Sequence, residues 1–291
     1  MDNVYKKSPI FIIGSPRSGT TLLRLLLTCH NSIVVPPEGG FVVWLYSKYK
    51  KFDINTDINE FVDDVLNCKK MEFWKLDKNG LIEYLKVHCP SNYADAVSCI
   101  YFYYGLTHDY KCTRWGDKNN FYIHYIRELH QLFPDAYFIH IIRDVRNVVC
   151  SYLRINKEKY DSKYAPNFPK DIEKISQLWK NDIDNIHEQS KVIKDGNFIE
   201  IRLRDLLTNT VHELTNLCKS IGEEFDPNML NYYLVNRKNK LIPDGLAEWK
   251  KMNFEPISCE KLDEYKTFLT SSQITTIESF TNDVLQKYNF K

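Results

Sequence analysis

The stretch FIIGSPRSGTTLLRLLL, Phe11 to Leu27, joins a short apolar run to a glycine-bounded loop and then to a leucine-rich helical pattern. A strand that enters a helix through such a loop presents successive backbone N–H groups at the positive end of that helix, which suits an oxyanion. An ATP-binding loop of the Walker type would carry a lysine after its second glycine, followed by a hydroxyl residue that holds magnesium. Here Thr20 and Thr21 follow the second glycine, and Arg17 lies inside the loop. The stretch therefore predicts a phosphate-type site and disfavours a metal-dependent NTPase, whereas a plain strand–helix turn would leave the arginine and the hydroxyls unexplained.

Composition indicates a well-packed enzyme-sized chain of balanced charge. The 291 residues are 43% hydrophobic and 14% aromatic, enough for a sizeable core, and we expect one α/β domain over residues 1–291. Thirty-nine basic and 38 acidic residues give a net charge of +1, so no broad field favours nucleic acid or an anionic membrane. Any anion must be bound by a local cluster of side chains.

Cysteine spacing and apolar run lengths bear on the compartment. The eight cysteines contain no C-x-x-C pair, so they predict neither a zinc site nor a redox motif. The beginning of the sequence has no apolar core of signal-peptide length, and no run is long enough to cross a membrane. We expect a cytoplasmic protein with reduced thiols and no membrane partner.

Alternating strand and helix patterns predict a parallel sheet flanked by helices. Four apolar runs are typical of buried parallel strands: 10–13, 32–35, 136–142 and 198–201. Helices are predicted at 20–29, 41–50, 58–68, 80–89, 94–106, 121–133, 145–154, 171–194, 206–221 and 271–288. Residues 40–115 break the alternation and predict a helical insert after the second strand. Residues 157–170 and 236–244 are predicted to be surface loops, the first of them mobile.

A second motif follows the predicted central strand in FIHIIRDVRNVVCSYLR. Arg143 comes at the carboxyl end of that strand, where open α/β sheets bind ligands. Ser151 follows eight residues later, about two helical turns on, and so lies on a related face. A guanidinium and a hydroxyl on one face suit a second phosphate. Alone, the arginines here could simply pair with Asp144 at the surface.

Together the motifs SPRSGTT and R-D-x-R-x-x-x-x-S resemble those of the PAPS-dependent sulfotransferases. The element WGDKNN (Trp115–Asn120) resembles the G-D-K element of the branch that includes carbohydrate and tyrosyl-protein sulfotransferases. FIEIRLRDLL resembles the family's strand ending in R-Y-E-D-L, with Leu203 in place of the tyrosine. Arg237-Lys238, Gly245 and Trp249-Lys250 weakly resemble the segment that closes over the nucleotide. The resemblance implies a P-loop-type α/β fold.

The resemblance also implies an activity, which is in-line transfer of a sulfuryl group from PAPS to an acceptor oxygen or nitrogen, with adenosine 3′,5′-bisphosphate leaving and no metal involved. It assigns the 5′-phosphosulfate to the first loop, the 3′-phosphate to the second motif and part of the nucleotide to the late basic pair. The cofactor-binding residues so implied are Ser15, Arg17, Ser18, Gly19, Thr20, Thr21, Arg143, Ser151, Arg237 and Lys238.

Three residues are candidates for the chemistry itself. Arg17 matches the family's basic loop position, and Lys118 is the second cation that could stabilise charge on the leaving phosphate. For Lys118 the plain alternative is an ion pair with Asp117. Glu38, in VVPPEGGF after the second strand, matches the glutamate that serves as general base in the glycan and tyrosyl-protein branch, although it could also be an ordinary first-turn acid. His108 and His30 are reserve bases.

The acceptor is expected to be a small molecule. Aromatic residues are dense in the insert, and although such stripes are more often core, some could line an acceptor site. They are Phe41, Trp44, Tyr46, Tyr49, Phe73, Trp74, Tyr101, Phe102, Tyr103 and Tyr104. Two alternatives stay open: a P-loop nucleotide kinase or nucleotidase, and a non-catalytic nucleotide-binding protein of the same fold.

Overall fold

The computed structural model describes residues 7–290 and shows, over that range, a five-stranded parallel sheet flanked by helices. The strand order is β2-β3-β1-β4-β5, so β1 lies at the centre. Ile10 of β1 is paired with Gly116 on one side and with Tyr137 on the other. The strands are β1 Ile10–Ile13, β2 Ile33–Val34, β3 Arg114–Lys118, β4 Tyr137–Ile142 and β5 Phe198–Arg202. The predicted α/β class is confirmed.

Helices cover both faces of the sheet. The α-helices are α1 Thr20–Thr28, α2 Phe41–Trp44, α3 Tyr46–Tyr49, α4 Ile54–Asn67, α5 Lys78–His88, α6 Tyr93–Thr107, α7 Ile126–Leu132, α8 Val145–Ile155, α9 Ile172–Ser190, α10 Leu203–Thr208, α11 Thr210–Ser220, α12 Tyr232–Asn239, α13 Asp244–Ala247, α14 Tyr265–Phe268 and α15 Ser271–Lys287. Short 3-10 helices lie at Met71–Trp74, Asn120–His124, Pro227–Asn231 and Glu248–Phe254. Within residues 7–290, none of these helices combines the length and apolarity that a membrane span requires.

The alternation of side chains along β1 separates two cores. Phe11 and Ile13 point into a cluster shared with the inserted helices, whereas Ile10 and Ile12 point into a cluster shared with α1. All four side chains are fully buried, as expected for a central parallel strand. Burial on both faces explains why such a short apolar run forms the centre of the sheet.

The strand β3 was missed by the sequence analysis, which predicted four strands and extended the helical insert to residue 115. Its sequence, RWGDK, is polar, yet all five residues are buried. Each charge has a specific partner: Arg114 binds Glu223, and Asp117 accepts hydrogen bonds from the hydroxyls of Tyr101 and Tyr122. Such long-range pairing makes a buried polar strand possible, and local hydrophobic periodicity does not reveal it.

Several predicted helices are interrupted. The predicted helix 41–50 is two short helices, 121–133 begins as a 3-10 helix, and 206–221 is broken at Asn209, whose φ of −131° is not helical. The prediction of a loop at 236–244 was wrong at its start, because α12 continues to Asn239. Residues 157–170 contain neither helix nor strand, in agreement with the predicted loop. All eight cysteines are free thiols.

Candidate active site

A cavity of about 620 Å³ opens at the carboxyl edge of the sheet. Its walls come from the segments that follow β1, β3, β4 and β5, which is where parallel α/β sheets place their ligands. Eight lysine or arginine side chains line it against three aspartates or glutamates. The cavity is therefore strongly basic although the chain as a whole is nearly neutral.

The loop between β1 and α1 forms one wall. Gly14 allows the loop to lie directly on β4, because a Cβ there would stand 2.6 Å from the carbonyl oxygen of Ile141. Arg17 adopts a left-handed backbone with φ of 71°, and Gly19 has φ of 98°. No side chain caps the N-terminus of α1, so its first N–H groups remain available. The buried hydroxyl of Ser18 likewise has no hydrogen-bond partner among residues 7–290.

The two sequence motifs meet at the wall of this cavity, which Arg17 and Arg143 line and Ser151 does not. Arg17 Nε donates to Ser151 Oγ at 3.1 Å, and Arg143 Nη1 donates to the backbone oxygen of Arg17 at 3.1 Å. Burial, reinforced by Arg143, lowers the pKa of Arg17 to about 10, and burial also lowers the pKa of Arg143. Two desolvated guanidiniums side by side disfavour one another unless an anion lies between or beside them. Neighbouring Arg146 instead pairs with Asp144 and Glu278.

Glu38 lies at the other side of the loop and is surrounded by lysines. Lys118 Nζ binds its Oε1, Lys70 Nζ binds its Oε2, and Lys250 Nζ lies 3.8 Å from Oε1. Burial acts to raise the pKa of Glu38, but Lys118, Lys250 and Lys70 outweigh it and hold that pKa well below its usual range. The group carries three lysines for one carboxylate, so it keeps a surplus of positive charge that an anionic ligand would neutralise.

The lysines themselves are desolvated. Burial lowers the pKa of Lys118, with Glu38 opposing the shift, and burial lowers the pKa of Lys250 to about 7. The alternative pairing of Lys118 with Asp117 does not form, and Lys118 pairs with Glu38. Asp117 is instead held by Tyr101 and Tyr122, which leaves the end of β3 free to direct Lys118 toward Glu38.

Other candidates lie outside the cavity wall. Arg237 and Lys238 are on α12, where Arg237 pairs with Glu255 at 2.6 Å and is 46% exposed. His30 contacts the carbonyl oxygen of Glu224, and His108 stacks on Tyr104. Of the ten aromatic residues of the insert, Trp44 alone lines the cavity, and most of the others are core.

Lys70 and Asn120 are among the polar residues of the site that were not identified from the sequence. Lys70 comes from the turn after α4, with φ of 74°, and no sequence pattern marks it. Asn120 accepts a hydrogen bond from Thr20 Oγ1 at 3.1 Å and so joins the segment after β3 to the start of α1. Its place two residues after Lys118 in WGDKNN is the signal that could have identified it.

The remaining walls are apolar and partly formed by the 157–170 loop. Trp44 stacks on Phe121 with ring centroids 5.1 Å apart, and both line the cavity. On the opposite side Tyr160 packs against Trp249, and Ser162 donates to the carbonyl oxygen of Gly245. The loop therefore packs onto the segment that carries Lys250.

Comparison with known proteins agrees with this geometry. Residues 9–227 match the model of the Sulfotransferase family. A curated relative from Mycobacterium bovis, omega-hydroxy-beta-dihydromenaquinone-9 sulfotransferase Stf3, is 24% identical over 76% of this chain and 64% of its own length. The chain spans less than two thirds of the length of the first curated relatives it matches.

Two solved structures share the fold. The sulfotransferase domain from the Synechococcus PCC 7002 olefin synthase has a TM-score of 0.58 at 21% identity, with 97% of each chain covered. Mouse sulfotransferase SULT7A1, solved in complex with PAP, has a TM-score of 0.54 at 12% identity and covers 97% of this chain and 85% of its own. At these identities the comparison establishes the fold.

Proposed function

Since its sequence matches the family model over residues 9–227, the chain belongs to the sulfotransferase family, and we propose that it transfers a sulfuryl group from PAPS to a small-molecule acceptor. The observation that carries this proposal is the placing of Glu38 and its three lysines in the same cavity as Arg17 and Arg143. One side of the cavity thus offers a carboxylate base and the other a pair of anion-binding guanidiniums.

The residues of the cavity fit a donor that carries one phosphate group at the 3′ position of its ribose and another at the 5′ position. The uncapped start of α1 and the free hydroxyl of Ser18 would hold the 5′-phosphosulfate. Arg143 and Ser151 would hold the 3′-phosphate, Arg143 through a planar fork that suits phosphate oxygens. PAPS would supply the activated sulfuryl group.

Cations in the cavity would lower the barrier to transfer. Negative charge grows on the leaving phosphate oxygen during the displacement, and fixed cations in a desolvated site stabilise it strongly. Lys118 is buried, Arg17 is half-buried, and both belong to the cavity wall. An ammonium has three N–H donors, so Lys118 can bond Glu38 and an anion at the same time.

Glu38 would take the proton of the acceptor. Its pKa lies well below its usual range, so the carboxylate is ionised and able to accept a proton throughout the neutral range. When a donor anion draws Lys118 and Lys70 toward itself, the carboxylate loses part of that stabilisation and becomes a stronger base. The lysines thereby couple donor binding to base strength.

The apolar walls favour an acceptor whose hydroxyl or amine is attached to an apolar body. Trp44 and Phe121 form a stacked platform that lines the cavity. The name of the mycobacterial relative specifies a hydroxylated menaquinone, which supports an apolar alcohol as acceptor. The free thiols support a reducing compartment such as the cytoplasm.

Nucleotide binding tests the donor and separates this proposal from a kinase. Adenosine 3′,5′-bisphosphate at about one hundred times its dissociation constant should stabilise the fold by about 2.7 kcal/mol in the absence of metal. ATP with Mg²⁺ should give a much smaller shift in thermal denaturation. The reverse order would contradict the proposal, and a shift without sulfate transfer in an acceptor screen would indicate a binding protein.

Substitution of the base tests the mechanism. Glu38→Gln should lower kcat for sulfuryl transfer by a factor of at least about one hundred, which is the contribution of a general base. Its dissociation constant for adenosine 3′,5′-bisphosphate should change little. Glu83→Gln is a matched control, because Glu83 is an exposed partner of Lys86 outside the cavity. A near-normal rate for Glu38→Gln would remove Glu38 from that role.

A further inference from the structure

A second group of chemically active side chains lies away from the cavity, between the sheet and α9. His140 on β4, Glu200 on β5 and His187 on α9 converge there, and none of the three lines the cavity. His140 Nδ1 lies 3.0 Å from Glu200 Oε1, and His187 Nε2 lies 3.1 Å from the same oxygen. One ligand atom from each residue falls within 4.8 Å of the others.

We propose that His140, His187 and Glu200 bind a divalent transition metal of the Zn²⁺ class. Two imidazoles and a carboxylate are a common donor set for such ions. Ligands at about 2.0–2.1 Å from a tetrahedral ion stand roughly 3.3 Å from one another, close to the two spacings found here. Two of the three donor spacings are therefore already close to that value, and the third, between the two imidazoles, lies within 4.8 Å and would shorten by side-chain rotation.

The setting also points to a ligand. His140 is fully buried, and its Nε2 has no hydrogen-bond partner among residues 7–290. The bond to Glu200 uses Nδ1, the proposed donor atom, and the ring also packs against Phe198, so the unpartnered Nε2 leaves this imidazole incompletely satisfied in an interior where polar atoms normally have partners. The hydroxyl oxygen of Tyr288 lies 2.7 Å from His187 Nε2, so it is a further oxygen close to the three proposed ligands.

Lys287 is the feature that competes with a metal. Its Nζ lies 3.1 Å from His187 Nε2, so an ammonium already stands next to the imidazole. Lys287 is exposed at the end of α15 and can turn outward into solvent. A bound metal would displace this ammonium, so the lysine should weaken metal binding without abolishing it.

The proposed site would have a structural role. Its ligands connect β4 and the edge strand β5 to α9, and Tyr288 adds the end of the last helix. Metal bound to the native state and not to the unfolded chain stabilises the fold by mass action. The site is independent of sulfuryl transfer, and its test does not need activity.

The test is Zn²⁺ titration of the chelator-treated full chain by calorimetry, with Co²⁺ absorption as a second readout. The expected result is one Zn²⁺ per chain and a visible Co²⁺ spectrum without a thiolate charge-transfer band. His187→Ala and Glu200→Gln should each weaken binding at least about tenfold, in the range that loss of a metal-site residue produces. His187 is partly exposed and glutamine preserves the shape of Glu200, so both variants should fold, which circular dichroism checks.

Two further variants make the outcome decisive. Lys287→Met should tighten Zn²⁺ binding by roughly tenfold, because it removes a positive charge next to the ion. His212→Ala, an exposed histidine on α11, should leave binding unchanged. Absence of a one-to-one binding event, or equal affinity in the wild type and in His187→Ala, would overturn the proposal and leave a purely hydrogen-bonded cluster.

Discussion

At the scale of single residues, Lys250 is a side chain of the cavity whose charge should change near neutral pH. Burial lowers its pKa to about 7, and Glu38 only partly offsets that effect. The lysine therefore loses its proton as pH rises through 7, whereas Glu38 stays ionised, because its pKa is held well below the usual range. When an anion binds beside Lys250, the neutral lysine should therefore take up a proton from solution.

Because Lys250 titrates near pH 7 and Glu38 stays ionised, the affinity for adenosine 3′,5′-bisphosphate should depend on pH. Between pH 7 and 8.5, above the phosphate titration, binding of adenosine 3′,5′-bisphosphate should weaken by up to about tenfold per pH unit, the limit for uptake of one proton. Lys250→Met should bind more weakly at pH 7 and show a flat profile. Lys251→Met, the exposed neighbour, should keep the slope. The dissociation constant is measured by calorimetry at each pH. If it still rises with pH in Lys250→Met, the proton is taken up by another group.

At the scale of elements, the loop between β1 and α1 (residues 14–19, the proposed phosphate loop) contacts β4, and this contact sets the shape of the proposed anion site. A Cβ on Gly14 would meet the backbone oxygen of Ile141 at 2.6 Å, and a backbone atom of a central strand cannot move aside cheaply. At Gly222, in contrast, φ is +73° and an added Cβ meets nothing within 4 Å. Gly14, with φ of +155°, combines strained backbone with steric contact, whereas Gly222 has the strain without the contact.

Comparison of the two alanine variants tests this view. Gly222→Ala should cost about 1 kcal/mol of stability, the usual penalty for a side chain in left-handed backbone. Gly14→Ala should cost about 3 kcal/mol or more, because it adds overpacking against β4. It should also abolish stabilisation by adenosine 3′,5′-bisphosphate in the fraction that folds. Urea denaturation measures both, and equal costs would show that the loop tolerates the contact.

At the scale of the whole molecule, the cavity is assembled from segments that are far apart in the chain. The phosphate loop, the start of α8 and residues 245–262 all line it, whereas α4 and α5 do not. A single nucleotide should therefore touch the N-terminal and C-terminal parts of the chain at once. Ligand binding should order these segments together.

Amide hydrogen exchange checks this arrangement. Adenosine 3′,5′-bisphosphate should slow exchange at 14–21, at 143–151 and within 245–262, while α4 and α5 serve as internal controls that keep their rates. Protection limited to 14–21 would mean that a lone phosphate site has formed and that the late segment does not take part in binding.

Local patterns in the sequence determined much of the fold and part of the site. The periodicity of apolar residues located four of the five strands, and the glycine loop with Arg17 pointed to an oxyanion site, because both depend on residues adjacent in the chain. The motif at Arg143 and Ser151 was readable for the same reason, since Arg143 directly follows β4 and Ser151 lies on α8, the next helix.

Only the tertiary structure decided which distant groups meet. It pairs Glu38 with Lys70, Lys118 and Lys250, residues between 32 and 212 positions away, and it buries the polar strand β3. Its placement of Arg237 outside the cavity wall is likewise invisible to local pattern. Desolvation and Coulomb interaction depend on distance in space, and they act between groups that the sequence keeps apart.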